Sequence, residues 1–189
     1  MNDILSKEEL RLFGHCGENV RIDSSVRLIG PQNIYIGSNV RIDSWCFLAA
    51  GHKIVIGNNV HIANSTHLAG GGAEIYIADF CGISARVNIF TATDDYTDGW
   101  LTNPTIPDEY KNVKTGKVEL QKHVIVGCGS VIMPNCVLRT GSSVGALSFV
   151  NKSIPEYTVV SGNPLRVVCK RNKDKLLEME RKFLANERT

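Results

Sequence analysis

A six-residue period runs through most of this chain and restricts its fold more than any other feature. In each unit an aliphatic residue opens, a small or acidic residue often follows, and a small or β-branched residue stands four places after the opener. Ile22-Asp23-Ser24-Ser25-Val26-Arg27 is one unit, followed by Ile36-Gly37-Ser38-Asn39-Val40-Arg41, Ile42-Asp43-Ser44-Trp45-Cys46-Phe47 and Ile56-Gly57-Asn58-Asn59-Val60-His61. Ile77-Ala78-Asp79-Phe80-Cys81-Gly82 and Ile83-Ser84-Ala85-Arg86-Val87-Asn88 come next. After an interruption the pattern resumes at Val126-Gly127-Cys128-Gly129-Ser130-Val131 and continues through openers Ile132, Leu138, Val144 and Val150. Such a period fits neither a 3.6-residue helix nor a long alternating strand. It fits short strands joined by tight bends, each unit forming one face of a prism, with Gly, Asn and Asp permitting the bend. The opener and the residue four later point inward. Three units close a turn of about eighteen residues, and successive turns stack as parallel strands about 4.8 Å apart. Stacking buries an aliphatic column that one turn could not bury alone. The pairs Ile34-Tyr35 and Ile54-Val55, which precede openers Ile36 and Ile56, mark slightly longer corners.

Three segments fall outside the period. Ser6 with Glu9 three residues later is a capping-box pattern, which predicts a short N-terminal helix carrying Leu10, Leu12 and Phe13 over the open end of the solenoid. Covering that end hides unpaired strand edges. Residues 172–186 place Leu176, Leu177, Met179, Phe183 and Leu184 among charges, as a helix packed on its own prism or on a neighbour's would. From about Thr91 to Lys117 the period vanishes, and a structureless loop that long is usually functional or disordered. This one carries Tyr96, Trp100, Tyr110 and two prolines, Pro104 and Pro107, and is expected to be an arm that helps enclose a substrate. The organisation is therefore an N-terminal cap over 1–16, a solenoid over 17–170 with its insertion at about 91–117, and a C-terminal helix over 171–189.

Bulk properties narrow the function. The 189 residues suffice for one ordinary domain, 43% of them hydrophobic and 21% charged, as in folded globular chains. A net charge of +2 is too small to point to nucleic acid or a membrane surface. No apolar run approaches the roughly 18–20 residues of a spanning helix, and Met1-Asn2-Asp3-Ile4-Leu5-Ser6 lacks the basic start of a signal peptide. The expected location is the cytoplasm. Cys16, Cys46, Cys81, Cys128, Cys136 and Cys169 form no CxxC pair. Several stand at small inward positions, as reduced buried thiols do.

Over about residues 17 to 170 the repeat resembles the hexapeptide-repeat acyltransferases, and most of all their galactoside and maltose O-acetyltransferase branch. The resemblance implies an all-β solenoid in the form of a left-handed parallel β-helix. It also implies acetyl-CoA as co-substrate, a homotrimer with the site between prisms, and transfer of an acetyl group to a sugar. Acceptors in the family are free sugars, nucleotide-linked sugars and precursors in bacterial polysaccharide biosynthesis. Ser161-Gly162-Asn163-Pro164 resembles the family's exit from the last coil.

Acetyl transfer to a hydroxyl requires a base, donors for the oxyanion, and a groove that sets thioester against acceptor. In the galactoside branch the base is a histidine in the segment opening the long loop, and its place here is taken by Asp94; no histidine lies between Cys81 and Gln121. An ordinary Asp titrates near 3.9, about two to three units below His. Two alternatives remain open. Asp94 or Asp95 could have a raised pKa, sharing a proton beside Tyr96. Or His61, which points out of the prism beside Ile62 at a place that is substrate-facing in the family, is the base, with Asp95 or Asp94 orienting it or the sugar. His67, Tyr96 and Trp100 are the candidate sugar contacts, next to the permissive Gly70-Gly71-Gly72. The resemblance lays the pantetheine arm along Cys128 and Ala146 and the adenine end near Asn151 and Lys152. Arg166, Lys170 and Arg171 form a basic cluster suited to the phosphates. The plain alternatives are a surface histidine, turn-forming aspartates and a solvated basic tail.

The missing loop histidine favours an amine acceptor, which needs a weaker base, so N-acetylation is the second reading. A zinc-dependent, carbonic-anhydrase-like site would need about three converging ligands, and the spacings of His15, His52, His61, His67 and His123 offer no such trio; no metal is expected. A non-catalytic scaffold has no use for an aromatic loop and a basic exit.

Overall fold

The unit openers form the core. Ile22, Ile36, Ile42, Ile56, Ile62, Ile77, Ile83, Val126, Ile132, Leu138, Val144 and Val150 are at most 3% exposed. The residues four places on, including Val40, Cys46, Val60, Cys81, Val87, Ser130 and Cys136, are buried with them. The computed structural model describes residues 4–186 and is a left-handed parallel β-helix of about seven turns.

Three sheets make the faces of the prism. Face I holds Ile34–Ile36, Ile54–Ile56, Ile75–Ile77 and Val118–Leu120; face II holds Val20–Ile22, Val40–Ile42, His61–Ile62, Gly82–Ile83 and Ile125–Val126. Face III holds Arg27–Ile29, Phe47–Ala49, His67–Ala69, Asn88–Phe90 and Val131–Ile132. Register is in phase from coil to coil, so Ile34, Ile54, Ile75 and Val118 stack as one column. A one-residue slip would turn every opener outward, which is why the aliphatic column fixes the pairing.

Most corners between faces I and II and between faces II and III turn through one residue in the left-handed backbone region. Asn39, Asn59, Phe80 and His123 do this between faces I and II, and Trp45, Ser65, Arg86 and Leu147 between faces II and III. Asn adopts this conformation readily, whereas bulky residues pay about 1–2 kcal/mol. Hydrogen bonds between coils hold the costly ones: the Phe80 amide donates to the Asn58 carbonyl at 2.9 Å and the Trp45 amide to Ser25 Oγ at 2.9 Å. The longer corners lie between faces III and I. Their extra length falls in segments such as Gly30–Asn33, where Gly30 has φ +65° and Pro31–Asn33 forms a 3-10 turn, while Ile34-Tyr35 itself is strand.

The long insertion leaves this same III–I corner after Phe90. It is an ordered arm, with Ala92–Asp94 pairing antiparallel to Val113–Thr115 before the chain rejoins face I at Val118. Its antiparallel stem has no signature in the six-residue pattern.

Helix α1, Lys7–Leu10, carries the expected capping box between Ser6 and Glu9. Leu5 and Leu10 pack against the core, and Phe13 is buried. At the other end Thr158–Ser161 turns back on Arg166–Lys170 as an antiparallel hairpin, which precedes α2, Lys173–Asn186. No residue of α2 is buried; it rests on the I–II corner through Phe183 against the Phe80 ring at 5.8 Å and Glu180 against His123. The expected cap and C-terminal helix extend into residues 1–3 and 187–189, which lie outside the described residues. Among the described residues, no helix is long and apolar enough to cross a membrane.

Candidate active site

The arm is organised by Asp95. Its carboxylate, 3% exposed, accepts hydrogen bonds from the Thr97 hydroxyl at 2.7 Å, the Thr97 amide at 3.2 Å and Asn112 Nδ2 at 2.9 Å. Lys114 Nζ completes the set at 2.9 Å. These donors hold the carboxyl far below the usual carboxylate range, the Thr97 hydroxyl contributing most and Lys114 next. Asp95 is thus a fixed anion tying both strands of the arm, and the expectation of a raised-pKa base that shares its proton with Asp94 is corrected. Asp94, its neighbour, is half-buried and engages only lightly, with Oδ2 accepting from the Asn103 amide at 3.3 Å. Tyr96 and Trp100 present their rings to solvent, 71% and 45% exposed, as a substrate-enclosing arm would.

His61 projects from face II as its position beside Ile62 requires. Its carboxylate partner within the chain is neither Asp94 nor Asp95 but Asp43, with Nε2 to Oδ2 at 2.8 Å. Asp43 Oδ1 accepts from Arg41 Nε at 2.6 Å. Face II lies opposite the III–I corner that emits the arm, so one subunit does not bring His61 to the arm's aspartates. The six-residue frame carried the signal for Asp43: it stands at the corner one coil below His61, eighteen positions away.

His67 lies on face III, half-buried between the Phe47 ring at 4.7 Å and the Phe90 ring at 5.7 Å, both edge-on. Burial lowers its pKa and favours the neutral ring. His67 and His61 therefore face different sides of the prism.

Cys128 and Ala146 stand exposed on successive coils at the II–III corner, where the Leu147 amide donates to the Cys128 carbonyl at 2.9 Å. A Cβ on Gly127 would overlap the Ala146 nitrogen, so the coils meet here at closest approach. Asn151 and Lys152 are exposed beyond the next strand. The basic cluster divides. Arg166 and Lys170 are exposed on the terminal hairpin, Lys170 donating to Thr158 Oγ1 at 2.9 Å. Arg171 turns inward and donates to the carbonyls of His123 at 2.7 Å and Gly141 at 3.3 Å. Through these two bonds its guanidinium pins the exit of the chain to the prism.

The buried thiols are inert. Burial pushes Cys46 up to about 11, Cys81 to about 12 and Cys136 to about 11. Among the described residues, no group of three or more His, Cys, Asp or Glu side chains is placed to hold a metal ion.

No family model matches the sequence. A dTDP-4-amino-4,6-dideoxy-D-glucose acyltransferase from Escherichia coli is 41% identical over 171 residues, 90% of this chain and 88% of that protein. The crystal structure of AntD, an N-acyltransferase from Bacillus cereus in complex with dTDP and 3-hydroxybutyryl-CoA, is 43% identical, has a TM-score of 0.95 and covers all of both chains. Mutants of AntD have also been solved, including S84A bound to dTDP-4-amino-4,6-dideoxyglucose and coenzyme A, and D94A bound to dTDP and coenzyme A. Likeness to the galactoside branch is weaker and shorter: the galactoside O-acetyltransferase of Lactococcus lactis is 30% identical over 101 residues, 52% of this chain and 44% of that protein.

Proposed function

This chain belongs to the hexapeptide-repeat, left-handed β-helix acyltransferases, and we propose that within them it is an N-acyltransferase that moves an acyl group from acyl-CoA to the amine of a dTDP-linked amino sugar. The observation that carries this reading is end-to-end likeness to AntD at 43% identity, together with the E. coli relative at 41%. The E. coli relative is named for a dTDP-linked amino sugar, and AntD has been solved with dTDP and, as S84A, with dTDP-4-amino-4,6-dideoxyglucose. The absence of a histidine in the arm supports an amine acceptor over a hydroxyl, since an amine is already nucleophilic.

In this reading Asp94 receives the amino group. It opens the arm with a carboxylate committed to a single long hydrogen bond, and this chain has Asp94 and Ser84 at the numbers altered in the AntD mutants. Asp95 and Lys114 hold the arm that presents Asp94, Tyr96 and Trp100. The pantetheine runs along the II–III corner past Cys128 and Ala146, with Asn151, Lys152, Arg166 and Lys170 toward the nucleotide end of CoA. A homotrimer completes the site, because a second copy is what carries an arm to the face bearing His61. The enzyme then serves the making of a bacterial surface polysaccharide.

The test is direct. Purified protein is given dTDP-4-amino-4,6-dideoxyglucose with acetyl-CoA or 3-hydroxybutyryl-CoA, and free thiol and product mass are followed. Thiol release with an amide-linked product supports the reading. Transfer to galactosides or maltose at equal efficiency, with none to the amino sugar, returns the enzyme to O-acetylation. Calorimetric titration with CoA, repeated on Arg166→Ala, locates the donor: binding that weakens in the variant puts the nucleotide end at the solenoid exit.

A further inference from the structure

Face II presents one row of outward side chains across its coils: Arg21, Arg41, His61, Gly82, Ile125 and Ser143. His61 is the only imidazole in it, and three features set it apart from a solvated surface histidine. Asp43 Oδ2 lies 2.8 Å from Nε2, and Asp43 Oδ1 is held by Arg41 Nε at 2.6 Å, so the carboxylate is fixed in place before it meets the ring. Nδ1 has no hydrogen-bond partner among the described residues. The neighbouring coil offers Gly82 instead of a side chain, and a Cβ there would meet nothing closer than Ile125 Cγ1 at 3.8 Å. The coil next to the ring therefore places no side chain of its own at that position.

We propose that Asp43 and His61 act as a dyad, with Asp43 as the positioning residue and His61 Nδ1 as the base that takes the proton from the acceptor amine; this deepens the acyltransferase reading above and rests on it. The carboxylate accepts Nε2–H and so holds the tautomer whose Nδ1 carries a lone pair. As the amine nitrogen bonds to the thioester carbon, its proton passes to Nδ1. The carbon–sulfur bond then breaks, and the CoA sulfur leaves with the proton that Nδ1 returns. Amine and thioester become amide and thiol, with no other reactant.

The charged groups facing the ring are Asp43 and Arg41 from its own face, with Arg21 and Asp23 beyond them around a cavity of about 230 Å³ that Arg41 and Asp43 also line. The coil above contributes Gly82 and Ser84, which bear no charge. Arg41 competes with His61 for the carboxylate.

The experiment is kinetics of amide formation by the full-length enzyme across pH, for wild type, Asp43→Asn, Asp43→Glu, His61→Asn and the Asp43→Asn/His61→Asn double variant. Long-range ¹H–¹⁵N spectra of the imidazoles are recorded alongside, as a readout independent of turnover. The expected result is a loss of about 10²-fold in kcat for Asp43→Asn with little change in acceptor KM. Asp43→Glu recovers most of the rate, and the double variant is no slower than His61→Asn alone. In the spectra the Nε2–H tautomer of His61 dominates in wild type and mixes with the other in Asp43→Asn. Wild-type kcat and an unchanged His61 tautomer in Asp43→Asn, or additive losses in the double variant, overturn the dyad while the acyltransferase reading stands. A folded wild type that acylates no amino sugar overturns the reading, and the dyad with it.

Discussion

Lys114 Nζ lies 2.9 Å from Asp95 Oδ2 and joins the returning strand of the long arm to its outgoing strand. With Thr97 and Asn112 donating to the same carboxylate, an insertion of more than twenty residues is closed at its stem by one buried anion. Asp95→Ala removes the acceptor for all of them and leaves a lysine facing nothing. The prism does not depend on this contact. Hydrogen exchange should rise across 91–117 while the melting temperature hardly moves, and turnover should fall because Asp94, Tyr96 and Trp100 lose their fixed positions. A variant whose arm exchanges like wild type would show that the stem strands alone hold it.

The same carboxyl sets an acid limit. Its folded-state pKa is depressed, so its contribution is complete above the unfolded Asp value of about 3.9 and is lost as pH falls below it. Arm order followed by exchange or by Trp100 fluorescence should hold from pH 7 down to about pH 4 and decay only below that. Loss of order near pH 6 would place the control in a histidine instead.

Helix α2 is held by a small latch. Glu180 meets Lys122 and His123, and His123 stacks on Phe80 at 5.0 Å, which in turn meets Phe183. Burial works against the Glu180 anion, but the bonds from Lys122 and His123 outweigh it and lower its pKa. Its contribution is therefore present above the unfolded Glu value of about 4.3 and is lost as pH falls below it. Phe183→Ala removes one edge-to-face aromatic contact worth about 1 kcal/mol and its buried area. The expected cost is about 2–4 °C in melting temperature, together with faster proteolysis within 173–186 and an intact solenoid.

How much of this was legible in the sequence follows from what each signal encodes. The openers and the residues four later named much of the core, because a repeated coil imposes the same inward positions every time; Ile34 and Ile54, read as corner residues, turned out to be core strand residues as well. The capping box placed α1 for the same kind of local reason. The arm's antiparallel stem was not legible, since Ala92–Asp94 and Val113–Thr115 are short, polar and almost twenty residues apart, with no periodicity to align them. Arg171 resembled its basic neighbours in composition, and only the fold reveals that its guanidinium faces two backbone carbonyls. His61 was singled out by its outward direction and its place in the resembled family, while its partner Asp43 required the coil length as well, because contacts in a solenoid run between coils and not along them. Asp95 misled because two adjacent carboxylates suggest a shared proton, whereas the backbone turns one of them into a cluster of donors.

Two glycines in the solenoid should respond to alanine in opposite ways. At Gly127 an added Cβ would overlap the Ala146 backbone, which cannot move without parting two coils. At Gly82 it would meet only Ile125 Cγ1 at 3.8 Å, an ordinary contact. Gly127→Ala is expected to destabilise by about 1–3 kcal/mol, the usual cost of overpacking, and to weaken CoA binding along that corner. Gly82→Ala should leave the melting temperature unchanged, yet raise the acceptor KM by placing a methyl group on the coil next to His61. Chemical denaturation of both variants separates the two effects.

The cysteines supply a map of the donor site that needs no acceptor. Cys46, Cys81 and Cys136 are buried with thiols pushed up to about 11, 12 and 11, so very little thiolate exists at pH 7.5. Cys128 and Cys169 are exposed. A maleimide pulse on the native enzyme, read by peptide mass, should label Cys128 and Cys169 and spare the three buried thiols until the chain is unfolded. If the pantetheine arm lies along the II–III corner, saturating CoA should protect Cys128 by about tenfold or more, while dTDP alone should not. Cys169 separates two donor paths within the same sample. Protection of Cys128 alone fits a donor that follows the coils, whereas protection of Cys169 alone would move CoA to the terminal hairpin and remove Cys128 and Ala146 from its path.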